Sequence, residues 1–158
     1  MDLKTAFLKQ REAIHNRTRE VTALIAPSQM AFRPARDVLS VGETLRHIWM
    51  SERGMRRIAL HGDFSYLETR IPQGLHAVLG TIGSLQEEVT AGDREYEATL
   101  AEVAAFPAEQ LEVERIHPGL GYRRKVYAIL LGINEHQVHH RAQLMTYLRI
   151  LGIKIPGI

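Results

Sequence analysis

Seven residues in the last third of this chain, Ile129, Ile133, His136, His140, Leu144, Tyr147 and Leu151, recur at steps of 4, 3, 4, 4, 3 and 4. A strand cannot carry that rhythm, because it turns its side chains over every two residues, whereas a helix brings residues three and four apart onto one face. The segment from about 124 to 151 is therefore predicted as a helix, ended by Gly152 and Pro156. Its inward line is apolar except for His136 and His140, which leave the helix one above the other. Burying two unpartnered imidazoles is costly, since each has a donor and an acceptor to satisfy. One shared metal ion removes that cost.

The rest of the chain keeps the same period. Leu3, Phe7, Ile14, Val21, Leu24 and Ile25 mark an amphipathic helix closed by Pro27. Residues 26–39, with Pro27 and Pro34, read as a loop. Ser40-Val41-Gly42-Glu43 has the form of a capping box, each polar side chain taking the other residue's backbone amide. It opens a helix predicted from about 41 to 61 that stops at Gly62. Residues 62–73, with Gly62, Asp63 and Pro72, read as a second loop. A third long helix starts between Gly74 and Ser84, is weakened early by Gly80, Gly83 and Gly92, and runs to Phe106 ahead of Pro107. Leu111, Val113 and Arg115 then alternate before Pro118-Gly119-Leu120-Gly121, the pattern of a short hairpin or an irregular extended loop. Four main helices without strand–helix–strand alternation point to an all-α, four-helix bundle, with residues 1–158 as a single domain.

Composition removes several chemistries. The chain has no cysteine, so disulfides, thiolate nucleophiles and cysteine-bound metals are excluded, and its eight histidines are the nitrogen ligands available. A formal net charge of +2 is too mild for a nucleic-acid surface, which needs clustered charge. No stretch approaches the roughly 18–20 apolar residues that cross a bilayer. The N-terminal segment lacks the apolar core of a secretion signal, so a cytoplasmic protein is expected, without membrane or nucleic-acid partners.

The second helix carries a matching anomaly. Thr44, His47, Ser51, Gly54 and Ile58 share one face, which is small and polar around its histidine. Small neighbours leave room, as a cavity would, and packed helices lie about 8–10 Å apart, within reach of imidazoles converging on one ion. His47 is thus the third ligand expected beside His136 and His140. His15, His61, His76 and His117 sit in loop or polar-face contexts and receive no role, and His139 points about 100° away from His140, first toward solvent and second as a group that supports the ligands or faces the substrate.

Two stretches resemble the DinB/YfiT-like superfamily. One runs from Phe32-Arg33-Pro34-Ala35 through Ser40-Val41-Gly42-Glu43-Thr44-Leu45-Arg46-His47-Ile48 to Glu52. The other is His136-Gln137-Val138-His139-His140-Arg141-Ala142-Gln143-Leu144, followed by Leu148-Arg149-Ile150-Leu151-Gly152 and Pro156. The resemblance implies a four-helix bundle of DinB/YfiT type with one divalent-metal site, whose three histidines match His47, His136 and His140. It also implies a small-molecule substrate, with thiol-dependent S-transfer or isomerisation, or hydrolysis, as the reaction, and a tendency to pair as a homodimer.

Three neutral imidazoles suit zinc, nickel, iron or copper and leave an open coordination position; zinc or nickel is expected first, with iron or manganese as further candidates. That position suits water or a low-molecular-weight thiol, either of which a metal makes more acidic. No acid or base is placed beside the metal by the sequence. Glu43 belongs to the helix cap, Glu52 lies about 140° around the helix from His47, and Glu135 turns away beside His136. Gln143, three residues after His140, is set first to make a helix contact and second to bond a ligand or a group supporting the metal ligands. The runs Arg53-Arg56-Arg57 and Arg123-Arg124-Lys125 read first as solvated faces and second as attractors of an anionic substrate. The other reading of the whole chain is a non-catalytic metal-binding or stress-response helical dimer.

Overall fold

The computed structural model describes residues 2–155 and contains the four long helices. Helix α1 spans Leu3–Thr22, with the Asp2 side chain accepting the Thr5 amide at its start. It stops short of the expected Ile25 because its last turn tightens, with Leu24 and Ile25 amides bonding Val21 and Thr22 carbonyls. Helix α2 spans Val41–His61 behind the Ser40/Glu43 capping box, and Gly62 closes it in the left-handed conformation, φ 67°.

The expected loop over 62–73 is largely helical. Helix α3, Ser65–Gln73, starts where the Asp63 carboxylate takes the Ser65 amide, and it carries Pro72 in its last turn, where the missing amide costs it one helical hydrogen bond. A short α4, Leu75–Leu79, follows Gly74. Helix α5, Leu85–Ala105, begins at a second capping box, Ser84 with Glu87. That four-residue pattern repeats the one at Ser40 and could have set the helix start from sequence. The chain then makes a two-stranded antiparallel hairpin, β1 Glu114–His117 and β2 Tyr122–Lys125, before the last helix α6, Val126–Ile150. Pro156, expected to help stop that helix, lies outside the described residues.

Helices α1 and α2 each pack against α5 and α6. Sequential neighbours α1 and α2 therefore face one another diagonally, as do α5 and α6, and the connections 23–40 and 106–125 must cross the ends of the bundle. The hairpin is part of the second crossing. The Arg115 guanidinium donates to the Ala59 carbonyl at 2.8 Å, tying β1 to the last turn of α2.

The core is divided into two apolar parts. One gathers Phe7, Ile58, Val103, Val126, Ile129 and Ile133, and the other gathers Val21, Val41, Leu45, Ile48, Leu144 and Leu148. Between them, each long helix contributes polar groups: Arg11, then His47, Ser51 and Glu52, then Thr99, then Asn134, Gln137 and His140, all buried. Arg11 bridges diagonally to Glu52, its Nε 3.1 Å from Oε1, and Thr99 donates to the same oxygen at 2.8 Å.

His15, expected on a polar face, is instead buried, because α5 covers that side of α1. Its ring stacks on Tyr96 at a centroid distance of 3.8 Å, and Nε2 lies 3.1 Å from Asp93 Oδ1. Burial, helped by the Arg11 charge and opposed by Asp93, lowers its pKa from 6.5 to about 4. Between those values the unfolded chain binds the extra proton, so this contribution to stability is complete above the unfolded pKa and is lost as pH falls toward the folded one. Urea titrations at pH 7 and at about pH 4.5 should show a smaller loss for His15→Gln than for the parent protein. Equal losses would remove His15 as a source of acid sensitivity.

Candidate metal centre

His47 comes from the middle of α2, and His136 and His140 from one face of α6, where these two helices pack. One ring nitrogen from each lies within 4.8 Å of the other two. The His47 and His136 Nε2 atoms are 3.0 Å apart, and ring centroids across the triad are 4.4–4.7 Å apart. Among the described residues, no other group of three or more histidine or acidic side chains gathers in this way.

The outer nitrogens of His47 and His140 are already engaged. Ser51 Oγ lies 3.2 Å from His47 Nδ1, and Gln143 Oε1 lies 2.6 Å from His140 Nδ1. Gln143 therefore accepts from the His140 ring, fixing the tautomer that presents Nε2 inward, as partners of metal-bound histidines do. Burial holds all three pKa values below the ordinary 6.5, to about 3 for His47 and His136, with the neighbouring rings and Arg70 adding to the shift. Rings kept neutral at pH 7 with Nε2 free are the donors a transition metal requires. The residues present fit such an ion.

The centre opens on a cleft between α2, α3, β2 and α6. The cleft, of about 430 Å³, reaches His136, while His47 and His140 stay behind it, 4% and 8% exposed. Met55, Leu67, Ala128 and Ile129 give it apolar walls, and Gly132 on α6 keeps the floor low, its missing side chain facing the Met55 sulfur. Glu135, expected to turn away, lines this cleft, as does the exposed His139. Neither reaches the triad by a hydrogen bond, although the His139 ring lies edge-on to His140 at 4.8 Å.

The room expected beside Gly54 is not a void. The Tyr66 ring of α3 occupies it, so a Cβ at position 54 would lie 2.3 Å from the ring. Tyr66 Oη is then 3.3 Å from Ser51 Oγ, which links α3 to His47 through Ser51. Gly→Ala inside a helix ordinarily stabilises by about 1 kcal/mol. Here Gly54→Ala should destabilise by about 1–3 kcal/mol from overpacking. Thermal denaturation reads the sign directly, and a stabilised variant would contradict the close approach of Tyr66.

The arginine runs separate residue by residue. Arg56 is buried against Glu95 and Glu102, Arg53 faces Glu95, and Arg57 pairs with Asp63. On the hairpin, Arg123 faces Glu114 and Lys125 bonds Glu112, whereas Arg124 lines the cleft. Tyr66, Arg70 and Tyr122 are cleft residues that the sequence reading missed. Recognising Asp63 as a helix cap would have put Tyr66 and Arg70, four apart, on one face.

The comparisons with known proteins agree with this architecture. The sequence profile of the DinB superfamily matches residues 10–144. A DinB-like protein of Bacillus subtilis has a similar structure, with TM-score 0.76 and 22% identity over 97% of this chain and 96% of that one. A DinB family member from Exiguobacterium sibiricum gives TM-score 0.76 and 20% identity over 99% and 97%. YfiT from Bacillus subtilis, described as a probable metal-dependent hydrolase with an unusual four-helix bundle topology, gives TM-score 0.71 and 13% identity over 96% and 89%. At these identities the structural likeness speaks for the fold alone. No curated protein sequence matches the chain. With the profile covering most of its length and the four-helix architecture in place, the chain belongs to the DinB superfamily.

Proposed function

We propose that His47, His136 and His140 hold one divalent transition metal, zinc or nickel, and that the protein is a metal-dependent enzyme acting on a small molecule. The observation that carries this reading is the convergence of three neutral imidazole nitrogens within 4.8 Å at the inner end of an open cleft. A structural site would be closed, whereas three ligands and a cleft leave a position for exchange. YfiT, of the same fold, is described as a probable metal-dependent hydrolase, which is the class of reaction this reading favours alongside S-transfer from a low-molecular-weight thiol.

A bound metal supplies Lewis acidity and lowers the pKa of a water or thiol in the open position. The chain's own residues do the rest. Ser51 and Gln143 orient two of the rings, and the apolar walls exclude bulk water from the inner cleft. Glu135 and His139 are the groups at the mouth able to accept or return a proton.

Elemental analysis of purified protein should find one transition metal per chain. The metal-loaded protein is then screened against thiols paired with electrophiles and against esters and amides. Thiol-dependent turnover selects the transferase reading, and turnover without thiol selects the hydrolase. Absence of any stoichiometric metal after loading would overturn the proposal.

A further inference from the structure

Two guanidinium groups face the same cleft from separate elements. Arg70 comes from α3, one turn after Tyr66, and Arg124 from β2, on the same strand face as Tyr122. Among the described residues neither side chain is held in an ion pair or hydrogen bond, although thirteen other basic side chains lie against carboxylates. Their neighbours in the sequence have partners of their own: Glu68 faces His117, Arg123 faces Glu114 and Lys125 bonds Glu112. Glu135 is the single carboxylate among the residues lining the cleft. The field there is accordingly positive, and the Arg70 charge is felt at all three histidines.

Hydrogen-bond direction adds a third donor. A His47 ring that turns Nε2 toward His136 carries its proton on Nδ1, which donates to Ser51 Oγ at 3.2 Å. The Ser51 hydroxyl is then free to donate to Tyr66 Oη at 3.3 Å, and Tyr66 offers its own hydrogen to whatever enters the cleft it lines. Two guanidiniums and a phenol make a donor set with which the one lining carboxylate, Glu135, forms no ion pair. Oxyanions are the ligands that match planar, multiply donating groups of this kind.

We infer that the substrate carries an oxyanion, a carboxylate or a phosphate-type group, which Arg70 and Arg124 receive while the reacting end of the molecule reaches the histidine centre. The inference rests on the metal-site reading and adds the charge class of the substrate to it. Arg70 and Arg124 are specificity residues here, and the apolar walls between them and His136 set the length of the spacer.

The test uses the full-length protein loaded with cobalt(II), whose visible spectrum reports ligands entering the metal's coordination sphere. Acetohydroxamic acid is compared with the monohydroxamic acids of succinic, glutaric and adipic acid and with their neutral methyl esters. At least one acid should bind about tenfold or more tightly than its ester, the gain expected of one charge-assisted contact. That acid-to-ester ratio should fall toward one in Arg70→Met/Arg124→Met and recover in part in Arg70→Lys/Arg124→Lys. A phosphonate-tailed hydroxamate run in parallel distinguishes carboxylate from phosphate-type ligands by which ratio is larger. Equal binding of every acid and ester, or a ratio unchanged in the double methionine variant, overturns the inference and leaves the metal reading standing. Failure to take up cobalt, or a cobalt spectrum that acetohydroxamic acid does not alter, overturns the metal reading itself.

Discussion

His136→Ala is expected to lower transition-metal affinity by more than about 100-fold and to leave the helical fold in place. The bound comes from comparison with weaker perturbations: losing a partner that only orients a metal-bound histidine costs about 10–100-fold. His136 is the clean position to test, because it is the half-buried member of the triad and borders the cleft, so alanine there opens space already continuous with solvent. His47→Ala and His140→Ala would hollow the buried layer between α2 and α6 and combine ligand loss with packing loss. Competition with a chromophoric chelator gives the affinity, and circular dichroism gives the fold. Ser51→Ala and Gln143→Leu, which remove the outer partners of His47 and His140, should fall between the parent and His136→Ala. Thermal melts supply a second reading, since metal at about 100 times its Kd should stabilise the parent by about 2.7 kcal/mol. That gain should vanish in His136→Ala. Parent-like affinity in His136→Ala would remove this ring from the ligand set.

Breaking the buried Arg11–Glu52 pair should be the most destabilising single change away from the metal. Arg11 has no exposed surface and Glu52 is 3% exposed, so removing either partner strands a charge in the bundle interior. Such a loss costs about 3–5 kcal/mol. For a chain of this size, each kcal/mol shifts the melting point by about 2–4 °C. Arg11→Met and Glu52→Gln should therefore each lower it by about 6–20 °C. The Thr99 hydroxyl, which donates to Glu52 at 2.8 Å, would lose part of its bonding with the carboxylate. Replacing both charges with apolar side chains of similar volume, Arg11→Met with Glu52→Leu, should recover much of the loss, because an absent pair no longer carries a desolvation penalty. Strict additivity in the double variant would show that volume, rather than charge, governs the site.

The long helices and the candidate site were legible in the chain because both rest on local spacing. Ser40 and Glu43 sit three residues apart wherever the helix goes, and α2 runs from Val41 to His61 between that box and Gly62. The short elements were less legible. Helix α3 buries none of its residues and is bracketed by Gly62, Asp63, Pro72 and Gly74, so its apolar period is only Phe64, Leu67 and Ile71, too short to set it apart from a loop. It is held to the bundle by Tyr66 against Gly54 and by Leu67 against the apolar core. The hairpin was one of two readings of residues 111–127, and the choice was made by pairing of Arg115 with Arg124 and by the anchor of Arg115 on α2.

The amino-acid sequence by itself determined the four long helices, the capping box that starts α2, and the identity of the three imidazoles that share two faces. Those are consequences of 3.6-residue periodicity and need no partner to be stated. Only the tertiary structure decided that the faces meet with Nε2 atoms 3.0 Å apart, and that Tyr66 fills the space beside Gly54. It also decided which arginines are neutralised and which two, Arg70 and Arg124, remain to face the cleft. The reason is physical: a side chain's charge partner is set by what the fold brings within about 4 Å of it, and α3, the hairpin and α6 meet at this cleft from three distant parts of the chain.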